Sequence, residues 1–251
     1  MIKGFEVFKN HFAGYEDEYV IIGGAACDII STDLGLDFRA TKDFDLVLIV
    51  EALTKNFIDD FWKFIREGGY ENRTKLNDTP ELFRFQKPRD SSYPYMIELF
   101  SKKSDILKNA EVHIGPIELG EEIVSLSAIL LDDDYYDVLL SGREMMMGVP
   151  ILKTEFIIVF KCKAYIDMVS KKETGEQISS KEIRKHRNDV FRLMTYLPGE
   201  KRVVVNDIIR KDLVIFIEAM ANEDIDTDNL GLKSFSKEKL VNLFKAIYGI
   251  G

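Results

Sequence analysis

The run Phe44–Val50 (FDLVLIV) constrains this chain more than any other part of it. Its near-continuous apolar character predicts a strand buried on both faces, and two acids, Asp43 and Asp45, open it. The residues before it extend the pattern. Tyr19–Ile22 is a β-branched apolar run that stops at Gly23-Gly24, after which Ala25 to Leu34 has the apolar spacing of a helix. Phe5, Phe8 and Phe12 mark one face of a first helix, and Phe57, Phe61, Phe64 and Ile65 mark an amphipathic helix ending at Gly68-Gly69. Leu82–Phe85 and Tyr95–Phe100 read as shorter strands on either side of a Lys87–Tyr93 turn. Val112–Ile117, Ile123–Leu126 and Val138–Leu140 read as further edge strands.

From Pro150 onward the periodicity becomes helical, with helices expected over Thr154–Val169, Ser180–Tyr196, Ile208–Ala221 and Ser236–Ile247. The expectation is an α+β chain: a sheet domain over 1–149, a helical domain over 150–251 that closes a cleft, and a boundary near Met147–Pro150. Charge changes at the same place. Residues 1–150 carry 16 basic and 28 acidic side chains (−12), 151–202 carry 12 and 7 (+5), and 203–251 carry 6 and 8 (−2). The total of −9 argues against broad, non-specific binding to nucleic acid or anionic membranes, while the basic middle stretch leaves room for an RNA end. Cys27 and Cys162 are far apart and away from His11, His113 and His186, so neither a disulfide framework nor a zinc site is expected. The longest apolar stretches, such as Ile123–Leu131 and Phe156–Phe160, are too short to span a bilayer, and the expected location is the cytoplasm.

In a strand, Asp43 and Asp45 point to one face with Cα atoms about 6.5 Å apart, so both reach one hard divalent cation, which relieves their repulsion. The plain alternative is a solvated strand start, the commoner meaning of an isolated D-x-D. Gly23-Gly24, between a strand and a helix, lets backbone N–H groups approach a phosphate, although a Gly-Gly turn is also a simple tight connection. Glu98 lies among Met96, Ile97, Leu99 and Phe100, where a carboxylate needs a partner. It completes a three-carboxylate cluster for two metals if its strand pairs beside Phe44–Val50; otherwise it forms a salt bridge to Lys102 or Arg84.

Ile21-Ile22-Gly23-Gly24-Ala25-Ala26 followed by Arg39-Ala40-Thr41-Lys42-Asp43-Phe44-Asp45-Leu46 resembles the GG/GS…R-x-T-x-D-x-D pattern of the nucleotidyltransferase superfamily, whose founding fold is DNA polymerase β. The chain is similar in particular to bacterial nucleotidyltransferase-like proteins related to the AbiEii-type toxins of toxin–antitoxin and abortive-infection systems. Phe160-Lys161-Cys162-Lys163-Ala164 resembles the K-x-x-A start of the family's first C-terminal helix, and Lys185-His186-Arg187-Asn188-Asp189 its basic K-x-x-x-D stretch.

The resemblance implies a mixed-sheet nucleotidyltransferase fold and a site in which Asp43 and Asp45 ligate Mg²⁺ or Mn²⁺ and the triphosphate. Gly23 and Gly24 would pack against the phosphates, with Thr41 and Lys42 of the same motif binding nucleotide. Glu98 would act as third metal ligand or general base, and Lys161 would face the triphosphate, with Lys185 and Asp189 beside it. The implied activity moves an NMP from an NTP to an acceptor hydroxyl on tRNA or another RNA end, a small molecule or a protein, with a cognate antitoxin as partner. Two departures stand out: the third acid is usually aspartate, and Ala25 replaces a serine that touches a phosphate. They favour a rival, an inert relative that binds a nucleotide or partner; a metal-dependent phosphohydrolase or nuclease is a third reading. Of the rest, Lys161, Lys163, Lys171, Lys172, Lys181, Arg184, Lys185, Arg187 and Arg192 form a basic face that either receives a polyanion or is a balanced solvated surface. Asp132-Asp133-Asp134 reads as a solvated turn, Met145-Met146-Met147 as hinge or interdomain packing, and His186 as a surface or capping side chain.

Overall fold

The computed structural model describes residues 1–74, 82–101 and 132–251. It divides into two compact units, Met1–Ile123 with Leu139–Lys153 and Val124–Val138 with Thr154–Gly251.

In chain order the first unit contains α1 (Phe5–His11), β1 (Tyr19–Ile22), α2 (Gly23–Asp33), β2 (Asp43–Leu48), α3 (Lys55–Gly68), β3 (Glu71–Thr74), β4 (Leu82–Gln86) and β5 (Met96–Ser101). A helix α4 (Asp133–Ser141) then leads to β6 (Arg143–Met146) and β7 (Val149–Leu152). The described strands form one mixed sheet in the order β3-β4-β5-β2-β1-β7-β6, an α+β architecture. The strand over Phe44–Val50 is central: β2 runs antiparallel to β1 and parallel to β5, and Leu46, Val47 and Leu48 are all buried. Parallel pairing needs long crossovers, which is why β5 and β7 join from far along the chain.

One face of the sheet is sealed by aromatic rings. Phe8 of α1 lies 5.2 Å from Phe44 and 5.6 Å from Tyr19 (centroids), and Phe61 of α3 lies 5.7 Å from Phe85. Phe57, Phe61, Phe64 and Ile65 are buried, as their helical spacing requires, and each contributes about 1.5–3 kcal/mol of apolar burial. Thr54 caps α3 by accepting from the Phe57 N–H at 3.2 Å, and its own N–H and hydroxyl donate to the buried Glu18 carboxylate. Phe44 and Leu46 fill this aromatic face, so strand alternation puts Asp43 and Asp45 on the opposite one.

Four sequence expectations change. Val138–Leu140 is the end of α4, not an edge strand, and the Asp132–Asp134 run starts that helix: the Asp132 carboxylate accepts from the N–H groups of Asp134 and Tyr135. Three carboxylates suit a helix N-terminus, where they meet unpaired N–H groups and the positive end of the dipole. Met145 and Met146 are not a hinge; they belong to a β6–β7 hairpin that turns at Met147 and Gly148, both at positive φ. The first unit therefore continues through Lys153, and Pro150 lies inside β7. Val112–Ile117 and Ile123–Leu126 lie outside the described residues.

The second unit is helical, with α5 (Thr154–Glu173), α6 (Ser180–Met194), α7 (Asp207–Ala219), a 3₁₀ turn (Met220–Asn222) and α8 (Lys237–Tyr248). Ser179, Asn206 and Ser236 cap α6, α7 and α8 with their side chains. A run of edge-on and tilted ring contacts, Tyr165–Phe216–Phe244–Tyr248, joins α5, α7 and α8, and the Tyr248 hydroxyl donates to the Glu155 carbonyl at 2.6 Å. Cys27 and Cys162 are both free and buried, and no helix among the described residues is long and apolar enough to cross a membrane.

Candidate functional site

The sheet register assembles the acids. Ile22 of β1 pairs with Asp45 of β2, Asp45 with Glu98 of β5, and Glu98 with Arg84 of β4. Directly paired residues share a face, so Asp45, Glu98 and Arg84 form a row across three strands on the side away from the aromatic cluster. Asp43 pairs with Met96 one step along the same face.

Within this row Glu98 is buried, 6% exposed, and its Oε1 accepts from Arg84 Nε at 2.6 Å and Nη2 at 2.5 Å. Glu98 is also hydrogen-bonded to Asp45 and feels the Asp43 charge. Burial pushes its carboxyl above the usual carboxylate range; Arg84 and the bond to Asp45 pull it down, and Asp43 pushes it up again. A hydrogen bond between two carboxyl groups needs a proton on one of them, and the permanent charge of the Arg84 guanidinium offsets the charge that remains. Arg84 thus emerges as a member of the centre, whereas the sequence offered it only as one of two salt-bridge partners; Lys102, the other, lies outside the described residues. The signal was the alternation Phe83-Arg84-Phe85, which turns the cation away from the face that buries Phe85.

Glycine brings the start of α2 against the acids. Gly23 has φ +64°, and a Cβ there would stand 1.9 Å from Asp45 Oδ2. A Cβ on Gly24 would meet Thr41 Oγ1 at 2.4 Å. Only residues without side chains let the Asp45 carboxylate and the Thr41 hydroxyl approach this helix start. Ala25, in the serine position of the resemblance, is fully buried. Lys42 is exposed, with Nζ 5.6 Å from the Tyr95 ring centroid, and Arg39 lies over Phe38 at 5.5 Å.

Asp43, Asp45, Glu98, Gly23, Gly24, Thr41 and Lys42 all belong to the first unit, whereas Lys161, Lys185 and Asp189 belong to the second. Lys161 is buried and its Nζ donates to Asp189 Oδ2 at 2.9 Å; Arg192 approaches the other Asp189 oxygen at 3.5 Å. Lys185 lies 3.4 Å from Glu182. The basic stretch spends much of its charge internally, since Lys163 meets Asp167 and Asp212, and Arg187 meets Glu223. His186, read from the sequence as a surface or capping side chain, is buried.

Among the described residues, no group of three or more His, Cys, Asp and Glu side chains is placed to hold a metal ion. No protein-family model matches the chain, and no curated protein matches its sequence. Among solved structures, the chain is similar to an antigenic nucleotidyltransferase-like protein from Paracoccidioides brasiliensis, with 17% sequence identity over 90% of this chain and 89% of that one and a TM-score of 0.47.

Proposed function

We propose that this chain is a Mg²⁺-dependent nucleotidyltransferase that moves an NMP from an NTP to an acceptor hydroxyl on an RNA end, a small molecule or a protein. The observation that carries the reading is the meeting of Asp45 with Gly23: a strand carboxylate stands where a Cβ would fill the space, against the start of an eleven-residue helix. Asp43 shares its face. Two carboxylates suit Mg²⁺, which takes one or two from a protein and leaves its remaining positions to water and phosphate oxygens. When bound, the ion would neutralise the triphosphate and make the α-phosphorus more electrophilic. The backbone at Gly23 and Gly24 faces the phosphates, and the N-terminal dipole of α2 favours their charge. A toxin-type pairing with a cognate antitoxin is one setting for such a transfer.

Replacing Asp45→Asn is expected to abolish Mg²⁺-dependent NTP binding while leaving the melting curve in place; retained binding overturns the proposal. The Arg84 contact favours a second reading, nucleotide binding without transfer, because the carboxylate best placed to accept the acceptor's proton is already engaged. Labelled NTPs offered with a cell extract separate the two, since only a transferase releases pyrophosphate and labels an acceptor.

A further inference from the structure

We infer that the outer face of α7 is a two-fold interface, and that the partner it takes is a second copy of this chain.

A helix on the surface of a globular unit keeps one apolar stripe for the core and turns charge to water. α7 is apolar on two sides. Ile209, Leu213, Phe216 and Ile217 are buried, whereas Ile208 and Ile215, almost two whole turns apart, share the opposite side and are 49% and 50% exposed. Val204, just ahead of the helix, is 88% exposed, and among the described residues no other helix holds an exposed large apolar side chain. Val214 lies half-buried beside Ile215. Apolar residues scattered singly over a surface need no explanation; a stripe along one helix face marks a contact.

The charges on the stripe say what covers it. Lys211 and Glu218 are exposed on the same side, about 10.5 Å apart along the axis, with Val214 and Ile215 between them. A second α7 laid antiparallel, about a two-fold axis crossing between Val214 and Ile215, brings Lys211 against Glu218 of the partner subunit and Ile215 against Val214 of the partner subunit. A parallel arrangement would set lysine on lysine and glutamate on glutamate, so the charge order selects the antiparallel one. Two identical ion pairs then flank an apolar centre, the self-complementary pattern of an isologous contact. The same operation lays Ile208 over Ala221 of the partner subunit. Ala221 lies at a groove of about 620 Å³ between α7 and α8 that Ile217, Met220 and Val241 also line, so an apolar side chain meets an apolar recess.

One helix face with a groove edge is at the low end of interface sizes, so the dimer is reversible, with a Kd on the order of 10 µM. Sedimentation velocity of the full chain from about 1 to about 200 µM tests this, since the range brackets that Kd. The wild type is expected to pass from monomer to dimer, and Ile215→Glu, a change at an exposed position, to stay monomeric with an unchanged melting curve. Lys211→Glu should also stay monomeric, because it gathers four acids at the contact. Lys211→Glu combined with Glu218→Lys restores both pairs in reverse and should dimerise like the wild type. A wild type that stays monomeric throughout overturns the inference and leaves the face to a different protein. A dimer that survives Ile215→Glu, or a charge-exchanged double variant no better than Lys211→Glu, overturns it as well.

Discussion

Replacing Gly23 by alanine strikes the proposed centre through the backbone, and its cost divides into two parts that can be measured separately. The first is conformational: Gly23 sits at φ +64°, where an L-residue pays roughly 1–2 kcal/mol. The second is steric. The new Cβ would stand 1.9 Å from Asp45 Oδ2, and ordinary van der Waals contact begins at 3.4 Å, so the carboxylate must retreat by about 1.5 Å. Asp45 cannot retreat alone, because it is hydrogen-bonded to Glu98, which Arg84 holds. Gly35 isolates the first part: its φ is +68° and a Cβ there meets nothing within 4 Å. Calorimetry should therefore show Gly35→Ala losing about 1–2 kcal/mol of stability with Mg²⁺-dependent NTP binding unchanged. Gly23→Ala should lose at least as much stability and also weaken NTP binding by about 10–100-fold, the effect typical of disturbing a metal ligand's support. If Gly23→Ala matches Gly35→Ala in both measurements, the approach of Asp45 to α2 has no functional weight and the reasoning fails.

Two further outcomes follow from buried and hydrogen-bonded charges. Lys161→Met should destabilise the chain to denaturant by about 3 kcal/mol because it takes the 2.9 Å ammonium from the fully buried Asp189 and leaves Arg192, at 3.5 Å, on its other oxygen, and adding Asp189→Leu should recover most of that loss; a double variant no better than the single would refute the pairing account. Tyr15 donates to Asp60 at 2.5 Å, and this bond, with a smaller part from burial, raises its phenol to about 12 from an ordinary 10.0. The folded state then keeps the proton to higher pH than the unfolded one, so the bond's stabilisation is complete below about pH 10 and is lost between about pH 10 and 12. Near-ultraviolet phenolate absorbance should show one tyrosine moving back towards 10 in Asp60→Asn; no movement refutes the assignment.

Most of the sheet was legible because its strands state their burial in apolar composition. The period-2 placement of Asp43 and Asp45 was readable from β2 alone, and Glu98 could be tied to it once its strand was taken to lie alongside. What the sequence did not carry was the partner of that third acid, since a salt bridge between residues fourteen apart depends on the β4–β5 register. Of the elements not read from the sequence, which include β3 and β7, two were hidden for local reasons. Arg143-Glu144-Met145-Met146 has little β propensity, and becomes a strand only through its hairpin with the fully buried Val149–Leu152. Asp132–Asp134 carries the composition of a loop, and its role as a helix start appears only when the Asp132 side chain is seen accepting N–H groups. For Lys161 the resemblance implies a ligand-facing lysine, and what the structure adds is its partner within its own unit, Asp189 at 2.9 Å.

The pairing of β1 with β7 bears on biosynthesis. Ile21 and Ile151 are partners in a parallel ladder, and both are fully buried. A nascent chain can assemble β1, β2 and the aromatic cluster early, but one side of β1 remains an open edge until the ribosome has made β7, some 130 residues later. During that interval Val20 and Ile21 border a strand edge able to pair with another chain. Chains that stop before Val149 should accordingly aggregate more than chains that extend past Leu152, in which β7 covers the β1 edge.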